Sequence, residues 1–194
     1  SNFYGVLSCS LKMAVYPYKF IKENPMQYVK IPKNNNTKVQ EKIKVLTLEE
    51  FKTILNRFPF GSNFYIPLQI AFNTGLRGGE VCALTWDNID FDNKTLTVEH
   101  TLIEKGNGIF ELGTPKTKSS FRTIALGDTL INILKKHRTF QKENKLKYGE
   151  YYSNSNYICT KENGQLITTS SLKYLSRVVN YELLIDFNFH ALRH

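Results

Sequence analysis

The sequence predicts a mainly α-helical protein with a small antiparallel β-sheet, an α+β fold. Three observations support this class. Apolar residues recur at helical spacing near both ends of the chain, apolar and polar residues alternate only in its middle, and glycine-containing turns separate the alternating runs. Short consecutive strands joined by tight turns favour antiparallel pairing.

The first 33 residues are predicted to be the end of a helical domain. Apolar residues follow helical spacing at Leu7, Leu11, Val15 and Tyr18. The element that follows ends at Asn24-Pro25. Because one or two helices cannot bury an apolar face by themselves, residues 1–33 are interpreted as the remnant of a domain whose beginning is missing.

Residues 34–46 are predicted to be a basic interdomain linker. This part of the chain is polar and contains Lys33, Lys38, Lys42 and Lys44. Two interpretations remain open. Either the lysines follow a DNA backbone across the duplex, or they belong to a solvated tether whose charge only keeps it soluble.

Three helices are expected next. Thr47-Leu48-Glu49-Glu50 has the form of a capping box, so a helix should run from Leu48 to about Phe58. A second helix, Asn63–Asn73, is apolar on nearly every side and is therefore predicted to be buried. Gly75 ends it, and Arg77 opens a third helix that reaches about Trp86. The exposed amides and the positive dipole end at that helix start favour an anion.

A small sheet and two further helices follow. Strands are predicted at 95–102, 109–112 and 121–126, with Gly106-Asn107-Gly108 as a turn. Helices are predicted at 128–145 and 169–179, with a short strand at 157–159 between them.

The composition is that of an ordinary globular protein with an excess of positive charge. The 194 residues carry a formal charge of +9, which suits a polyanionic partner. Cys9, Cys82 and Cys159 lack the spacing of a disulfide framework or a zinc cluster, and no cofactor or metal is expected. No signal peptide or membrane-spanning run is recognisable, which predicts a cytoplasmic protein without a membrane partner.

Two separated cationic motifs carry the functional prediction. The middle of the chain contains Thr74–Glu80, with the sequence TGLRGGE, and its end contains His190-Ala191-Leu192-Arg193. An arginine stays charged and presents a planar fork of donors that fits two oxygens of one phosphate. Two such forks, Arg77 and Arg193, can neutralise the transition state of phosphoryl transfer without a metal.

The order TGLRxxE, a lysine-bearing hairpin and HxLRH resembles the catalytic domain of the tyrosine recombinases, the phage and conjugative-transposon integrases, from about Val45 onward. Tyr18–Pro25, with the sequence YKFIKENP, resembles the YxxxNP motif at the end of the core-binding domain of that family. The resemblance implies a DNA-binding remnant at 1–33 and a catalytic domain at 47–194. It also implies recombination of duplex DNA at attachment sites through a 3′-phosphotyrosyl intermediate, by a homotetramer on two sites.

The resemblance implies individual roles for the two motifs. Arg77, Arg193 and His190 are expected to stabilise the transition state. Glu80 is expected to orient the Arg77 guanidinium, and His194 to have a supporting role near the phosphate. Simpler interpretations exist: Glu80 as an exposed intrahelical partner of Arg77, and His190 as a hydrogen-bonded core residue.

The hairpin is expected to supply the general acid. Lys116, at the KT that ends the second strand, is the preferred donor of a proton to the leaving 5′-oxygen. Lys118 points the same way if the strand continues, so the roles of the two lysines remain exchangeable. Both lysines are otherwise phosphate contacts, and Arg122 is assigned to the same DNA-binding group.

The nucleophilic tyrosine of the family follows the HxLRH segment, and Tyr151, Tyr152 and Tyr181 all precede it. We therefore expect a chain truncated at both ends that does not cleave DNA strands by itself. Two alternatives are kept: relaxation of DNA by a type IB topoisomerase, and a DNA-binding module without catalysis.

Overall fold

The computed structural model describes residues 2–30, 45–106, 108–113 and 121–193. They belong to two compact units, Ser1–Lys42 and Ile43–His194, and each unit is described by itself. The predicted α+β class is confirmed, because helices dominate and the strands form small antiparallel sheets. No helix in the described part of the chain is long and apolar enough to cross a membrane.

The first unit consists of helix α1, Asn2–Val15, and a 3₁₀ turn, Pro25–Tyr28. Asn24 caps the turn, because its Oδ1 accepts a hydrogen bond of 2.9 Å from the Met26 amide. The Asn24 side chain also donates to the Ser8 carbonyl at 3.1 Å, which ties the turn to α1. Met26 is buried, whereas many large apolar side chains of α1 and the residues after it are exposed.

The second unit begins with two helices close to their predicted positions, α2, Leu48–Arg57, and α3, Tyr65–Thr74. The predicted capping box is present: the Thr47 amide donates to Glu50 Oε2 at 2.8 Å, and Thr47 Oγ1 accepts from the Glu50 amide at 3.2 Å. All residues from Ile66 to Ala71 are buried, as the apolar sequence of α3 predicted.

Helix α4, Gly78–Ala83, is shorter than the predicted helix that reached Trp86. Leu84 leaves the helix in an extended conformation, and its carbonyl accepts a hydrogen bond from Ile158 at 2.9 Å. Thr85 then forms an isolated bridge with Tyr157. The predicted strand at 157–159 is therefore only an isolated pairing with the chain after α4, and that pairing ends the helix early.

Two sheets replace the single sheet that was predicted. The first contains β1, Ile89–Asp90, β2, Thr95–Val98, and β5, Arg122–Ala125, in the order β1-β2-β5. The second is a hairpin of β3, Thr101–Gly106, and β4, Ile109–Gly113. The predicted strand 95–102 was wrong as one strand, because the chain changes sheet between Val98 and Thr101. Residues after Leu102 in β3 are exposed, so the hairpin leaves the core.

The remaining helices are α5, Asp128–Tyr148, and α6, Thr169–Glu182, and each extends three residues beyond its prediction. Short 3₁₀ turns lie at Trp86–Asn88, Gly149–Tyr151 and Phe189–Arg193. The core of the second unit collects side chains from α2 to α6 and from the three-stranded sheet. Its fully buried members include Ile54, Leu68, Ile70, Leu96, Leu134, Ile158, Leu175 and Phe187.

The three cysteines differ in exposure. Cys9, on α1, is exposed, whereas Cys82 and Cys159 are buried in the second unit. Burial raises the pKa of Cys82 to about 12 and also raises that of Cys159.

His137 joins α5 to the chain segment before α6. Its Nε2 lies 2.8 Å from the Ile158 carbonyl, which only accepts, so Nε2 carries the proton. Burial lowers the pKa of His137 from 6.5 to about 4, although the bond to Ile158 opposes this shift. His137 is therefore neutral near pH 7.

We expect His137 to make the folded state less stable as the pH falls. The unfolded chain binds a proton near pH 6.5 and the folded chain near pH 4, so stability is lost as the pH falls across that window. Urea unfolding at pH 7 and pH 5 should show a loss of about 2 kcal/mol from this group. His137→Gln, which keeps a donor for Ile158, should lose correspondingly less; equal losses in both proteins would contradict this assignment.

Candidate functional site

Arg77 lies in the tight connection between α3 and α4. Gly75 ends α3 with a φ of 65°, a left-handed conformation that glycine adopts without strain. Arg77 is extended and immediately precedes α4, so the predicted position at a helix start is correct. Its side chain is 56% exposed, which leaves the guanidinium accessible to solvent.

The connection packs against the 3₁₀ turn Phe189–Arg193. A Cβ atom added to Gly75 would lie 3.7 Å from Cγ of Arg193, and one added to Gly78 would lie 3.3 Å from Cδ1 of Phe189. The residues on both sides of Arg77 therefore contact the turn that carries His190 and Arg193. The two cationic motifs, distant in sequence, are neighbours in the fold.

The 3₁₀ turn places His190 and Arg193 on one side, because residues three apart are eclipsed in this geometry. Ala191 and Leu192 between them are buried and hold the turn against the core. Both His190 and Arg193 are exposed. The interpretation of His190 as a core residue was therefore wrong.

Two clefts flank this contact. One, of about 480 Å³, is lined by apolar Leu172 and Phe189 together with Gly78, Lys173 and His190, among others. The other, of about 330 Å³, is lined by residues that include Arg193 and Gly75. His190 borders the first cleft together with Gly78, the first residue of α4, and Arg193 borders the second together with Gly75, which ends α3.

Glu80, in the first turn of α4, is 4% exposed and accepts four hydrogen bonds. Oε1 accepts from Nη1 of Arg77 at 3.1 Å and from Nη1 of Arg122 at 3.2 Å. Oε2 accepts from the Arg77 backbone amide at 2.9 Å and from Nη2 of Arg122 at 2.7 Å. The carboxylate is thus fully occupied. The alternative of an exposed intrahelical pair was wrong, since Glu80 is buried.

Two opposing effects act on the Glu80 carboxyl. Burial favours the neutral acid and would raise the pKa. Hydrogen bonds from Arg122 and from the Arg77 amide, and the positive charge of Arg122, outweigh burial, so the pKa of Glu80 is lowered. The carboxylate is therefore ionised near neutral pH. It pairs with Arg77, which precedes α4, and with Arg122 of β5.

Arg122, on β5, is 29% exposed and turns its guanidinium toward Glu80. The sequence had grouped Arg122 with the DNA-binding lysines. The structure gives it a contact that this grouping did not include, a two-pronged ion pair with a buried carboxylate. The three side chains Arg77, Glu80 and Arg122 are called the arginine-glutamate triad below.

Next to Glu80, α4 approaches β3 closely at Gly79. A Cβ atom on Gly79 would lie 2.5 Å from Oγ1 of Thr101 and 3.1 Å from the Leu102 carbonyl. Two consecutive glycines, Gly78 and Gly79, open α4. In the structure both glycines serve packing, with Gly79 against β3 and Gly78 against Leu172 and Phe189.

Seven predicted residues lie outside the described part of the chain, and their roles stay predictions: Lys33, Lys38, Lys42, Lys44, Lys116, Lys118 and His194. The structure adds Lys173, which borders the same cleft as His190 and was not predicted. The sequence pattern that could have indicated Lys173 is its spacing from Thr169 and Ser176, which places the three polar residues on one face of α6.

Residues 44–194 match the sequence model of the Phage integrase family. A tyrosine recombinase XerC-like protein of Caldanaerobacter subterraneus subsp. tengcongensis is 36% identical over 189 residues, covering 90% of this chain and 48% of that protein. The ICEBs1 integrase of Bacillus subtilis is 30% identical over 185 residues, covering 91% of this chain and 47% of that protein. The chain spans about half the length of these curated relatives.

Solved structures share the fold. The Tn1549 transposon integrase in complex with transposon right end DNA superposes with a TM-score of 0.72 and 22% identity, over 100% of this chain and 63% of that one. A λ integrase tetramer bound to a Holliday junction superposes with a TM-score of 0.59 and 17% identity, over 98% of this chain and 50% of that one.

We expect Glu80→Gln to lower the free energy of unfolding by about 1–3 kcal/mol, because an amide nitrogen would face arginine donors in a buried site. Glu182→Gln is the matched control, since Glu182 is 43% exposed and also pairs with an arginine, Arg57. The control should lose no more than about 1 kcal/mol. Equal losses in urea unfolding would show that the buried carboxylate has no special contribution.

We expect Gly79→Ala to destabilise the second unit by about 1–3 kcal/mol, because the new methyl group would press on Thr101 and Leu102. Gly5→Ala is the control, since Gly5 lies within α1 with no atom within 4 Å of the added Cβ. There the better helix propensity of alanine should raise α1 stability by about 1 kcal/mol. Thermal unfolding followed by circular dichroism measures both, and a stabilised Gly79→Ala protein would refute the close packing.

Proposed function

This chain belongs to the phage integrase family, and we propose on that basis that it forms the catalytic part of a site-specific tyrosine recombinase of a mobile element. The family match over residues 44–194 supports the proposal. The observation that carries it is the contact of the Arg77 connection with the turn that holds His190 and Arg193. The substrate is duplex DNA at the attachment sites of the element.

The two arginines bind the phosphate at which strands are exchanged. Each guanidinium offers paired donors to the non-bridging oxygens, and positive charge there stabilises the transition state more than the ground state. His190, on the same side of its turn as Arg193, donates to a non-bridging oxygen or exchanges a proton with the attacking hydroxyl. No metal is required for charge neutralisation.

The reaction is a transesterification. A tyrosine hydroxyl attacks phosphorus and loses its proton to His190 or to water, a tyrosyl O–P bond forms, and the bond from phosphorus to the 5′-oxygen breaks. Lys116, or Lys118 in its place, gives a proton to the leaving 5′-oxygen. The 3′-phosphotyrosyl bond keeps the energy of the phosphodiester, so strands rejoin without ATP. We propose that the nucleophile is none of Tyr151, Tyr152 and Tyr181.

The domain assignment belongs to the same proposal. Residues 1–33 are part of a helical DNA-binding domain, residues 34–46 are a linker whose lysines contact the DNA backbone, and residues 47–194 are the catalytic domain. A homotetramer on two sites is the proposed assembly, and the λ integrase tetramer on a Holliday junction supports it by its shared fold. Neither topoisomerase activity nor binding without catalysis is favoured by any of these comparisons.

Strand cleavage tests the proposal. The protein translated from the complete reading frame that contains this sequence should form a covalent complex with nicked duplex DNA of an attachment site. Arg77→Ala and Arg193→Ala should each slow complex formation by roughly 100-fold or more, by analogy with the loss of one oxyanion donor. Denaturing gel electrophoresis of labelled DNA measures the complex.

The control for these variants is Arg138→Ala, which removes an exposed arginine of α5 whose guanidinium carbon lies 5.5 Å from the centre of the Trp86 ring. It should cleave within a few-fold of the unchanged protein. Unimpaired cleavage by Arg77→Ala, or the absence of any covalent complex with the unchanged protein, would refute the proposed reaction.

A further inference from the structure

Glu80 is shared unequally between the two arginines of the triad. Arg122 occupies both carboxylate oxygens with a two-pronged fork, at 3.2 and 2.7 Å. The Arg77 guanidinium gives one hydrogen bond, from Nη1 at 3.1 Å, and its backbone amide gives the other. Within the described residues, the other donors of the Arg77 guanidinium have no hydrogen-bond partner.

This division matters because a single buried carboxylate competes with phosphate for the same guanidinium. A two-pronged arginine–carboxylate pair is the strongest geometry that Glu80 can form, and a buried carboxylate with too few donors is costly. If Arg122 were absent, Glu80 would take the fork of the nearest remaining guanidinium, that of Arg77. Arg77 would then be neutralised and turned inward.

We propose that Arg122 is a positioning residue that satisfies Glu80 and thereby keeps the guanidinium of Arg77 available for a DNA phosphate. This inference rests on the phosphate-binding role of Arg77 in the proposed function. Arg122 acts from β5, the strand that follows residues 114–120. Its contribution to DNA binding is indirect, through Glu80, rather than a phosphate contact of its own.

The test is the binding of the 194-residue chain to a fluorescein-labelled 30-base-pair duplex of random sequence, followed by anisotropy between 50 and 200 mM NaCl. Loss of one phosphate contact lowers the slope of log affinity against log salt by about 0.9, which is roughly a tenfold loss of affinity at 0.1 M salt. Arg77→Gln should show this loss. Arg122→Gln should show it as well, because it withdraws Arg77.

The double variant separates an indirect role from a direct one. If Arg122 acts through Arg77, then Arg77→Gln combined with Arg122→Gln should lose no more than either single variant. If Arg122 contacts a phosphate itself, the two losses should add, to a slope change of about 1.8 and roughly a hundredfold in affinity. Additive losses would overturn the inference.

A second-site change gives a rescue that a purely structural role would not produce. Glu80→Gln in the Arg122→Gln background removes the negative charge that captures Arg77, so DNA affinity and salt slope should return toward those of the unchanged chain. Failure of this rescue in a protein with an unchanged circular dichroism spectrum would overturn the inference. Arg57→Gln is the matched control: Arg57 pairs with Glu182 at 2.7 Å, outside the triad, and its effect should add to that of Arg77→Gln.

Nuclear magnetic resonance of the free chain tests the geometry without DNA. In Arg122→Gln, the Nη resonances of Arg77 should sharpen and shift as both nitrogens bond to Glu80 and rotation of the guanidinium slows. Unchanged Arg77 resonances would overturn the inference. Failure of the unchanged chain to bind the duplex would instead count against the proposed function, and the resonances of Arg77 would then decide the positioning role alone.

Discussion

The buried carboxylate of Glu80 is the constraint on which the candidate site depends. It joins the start of α4 to β5, and it does so with an ionised group that is 4% exposed. A charge in that position is tolerated only when its hydrogen-bonding capacity is filled, and here two arginines and one backbone amide fill it. Glu80 therefore links Arg77 to Arg122, a residue of a strand that lies far from Arg77 in the sequence.

Small residues let this arrangement exist. Gly75, Gly78 and Gly79 surround Arg77: Gly75 takes the left-handed conformation that ends α3, Gly78 gives room to Leu172 and Phe189, and Gly79 gives room to β3. The cost in helix propensity is offset by close packing around one charged side chain. Better helix formers at Gly78 and Gly79 would press on Leu172, Phe189 and Thr101.

Much of the fold followed from local patterns, and the failures have physical causes. Capping chemistry located α2, and apolar composition located α3, because those signals lie within a few neighbouring residues. The early end of α4 depends on pairing with residues 156–158, and the change of sheet after Val98 depends on the pairing of β2 with β5 and of β3 with β4. No local pattern reports such pairing. Arg77, His190 and Arg193 were identifiable by motif. The attachment of Arg122 to Glu80 was not, because one arginine in a strand is indistinguishable from a surface cation until its partner is seen.

The unequal burial of the three thiols has a practical consequence. A maleimide dye reacts with the thiolate, and the raised pKa values and burial of Cys82 and Cys159 suppress that form in the folded protein. Cys9 is exposed, so the natural sequence already provides a single labelling position. A fluorophore there lies in the Ser1–Lys42 unit, and it can test the proposed binding of DNA without any engineered substitution near Arg77, His190 or Arg193.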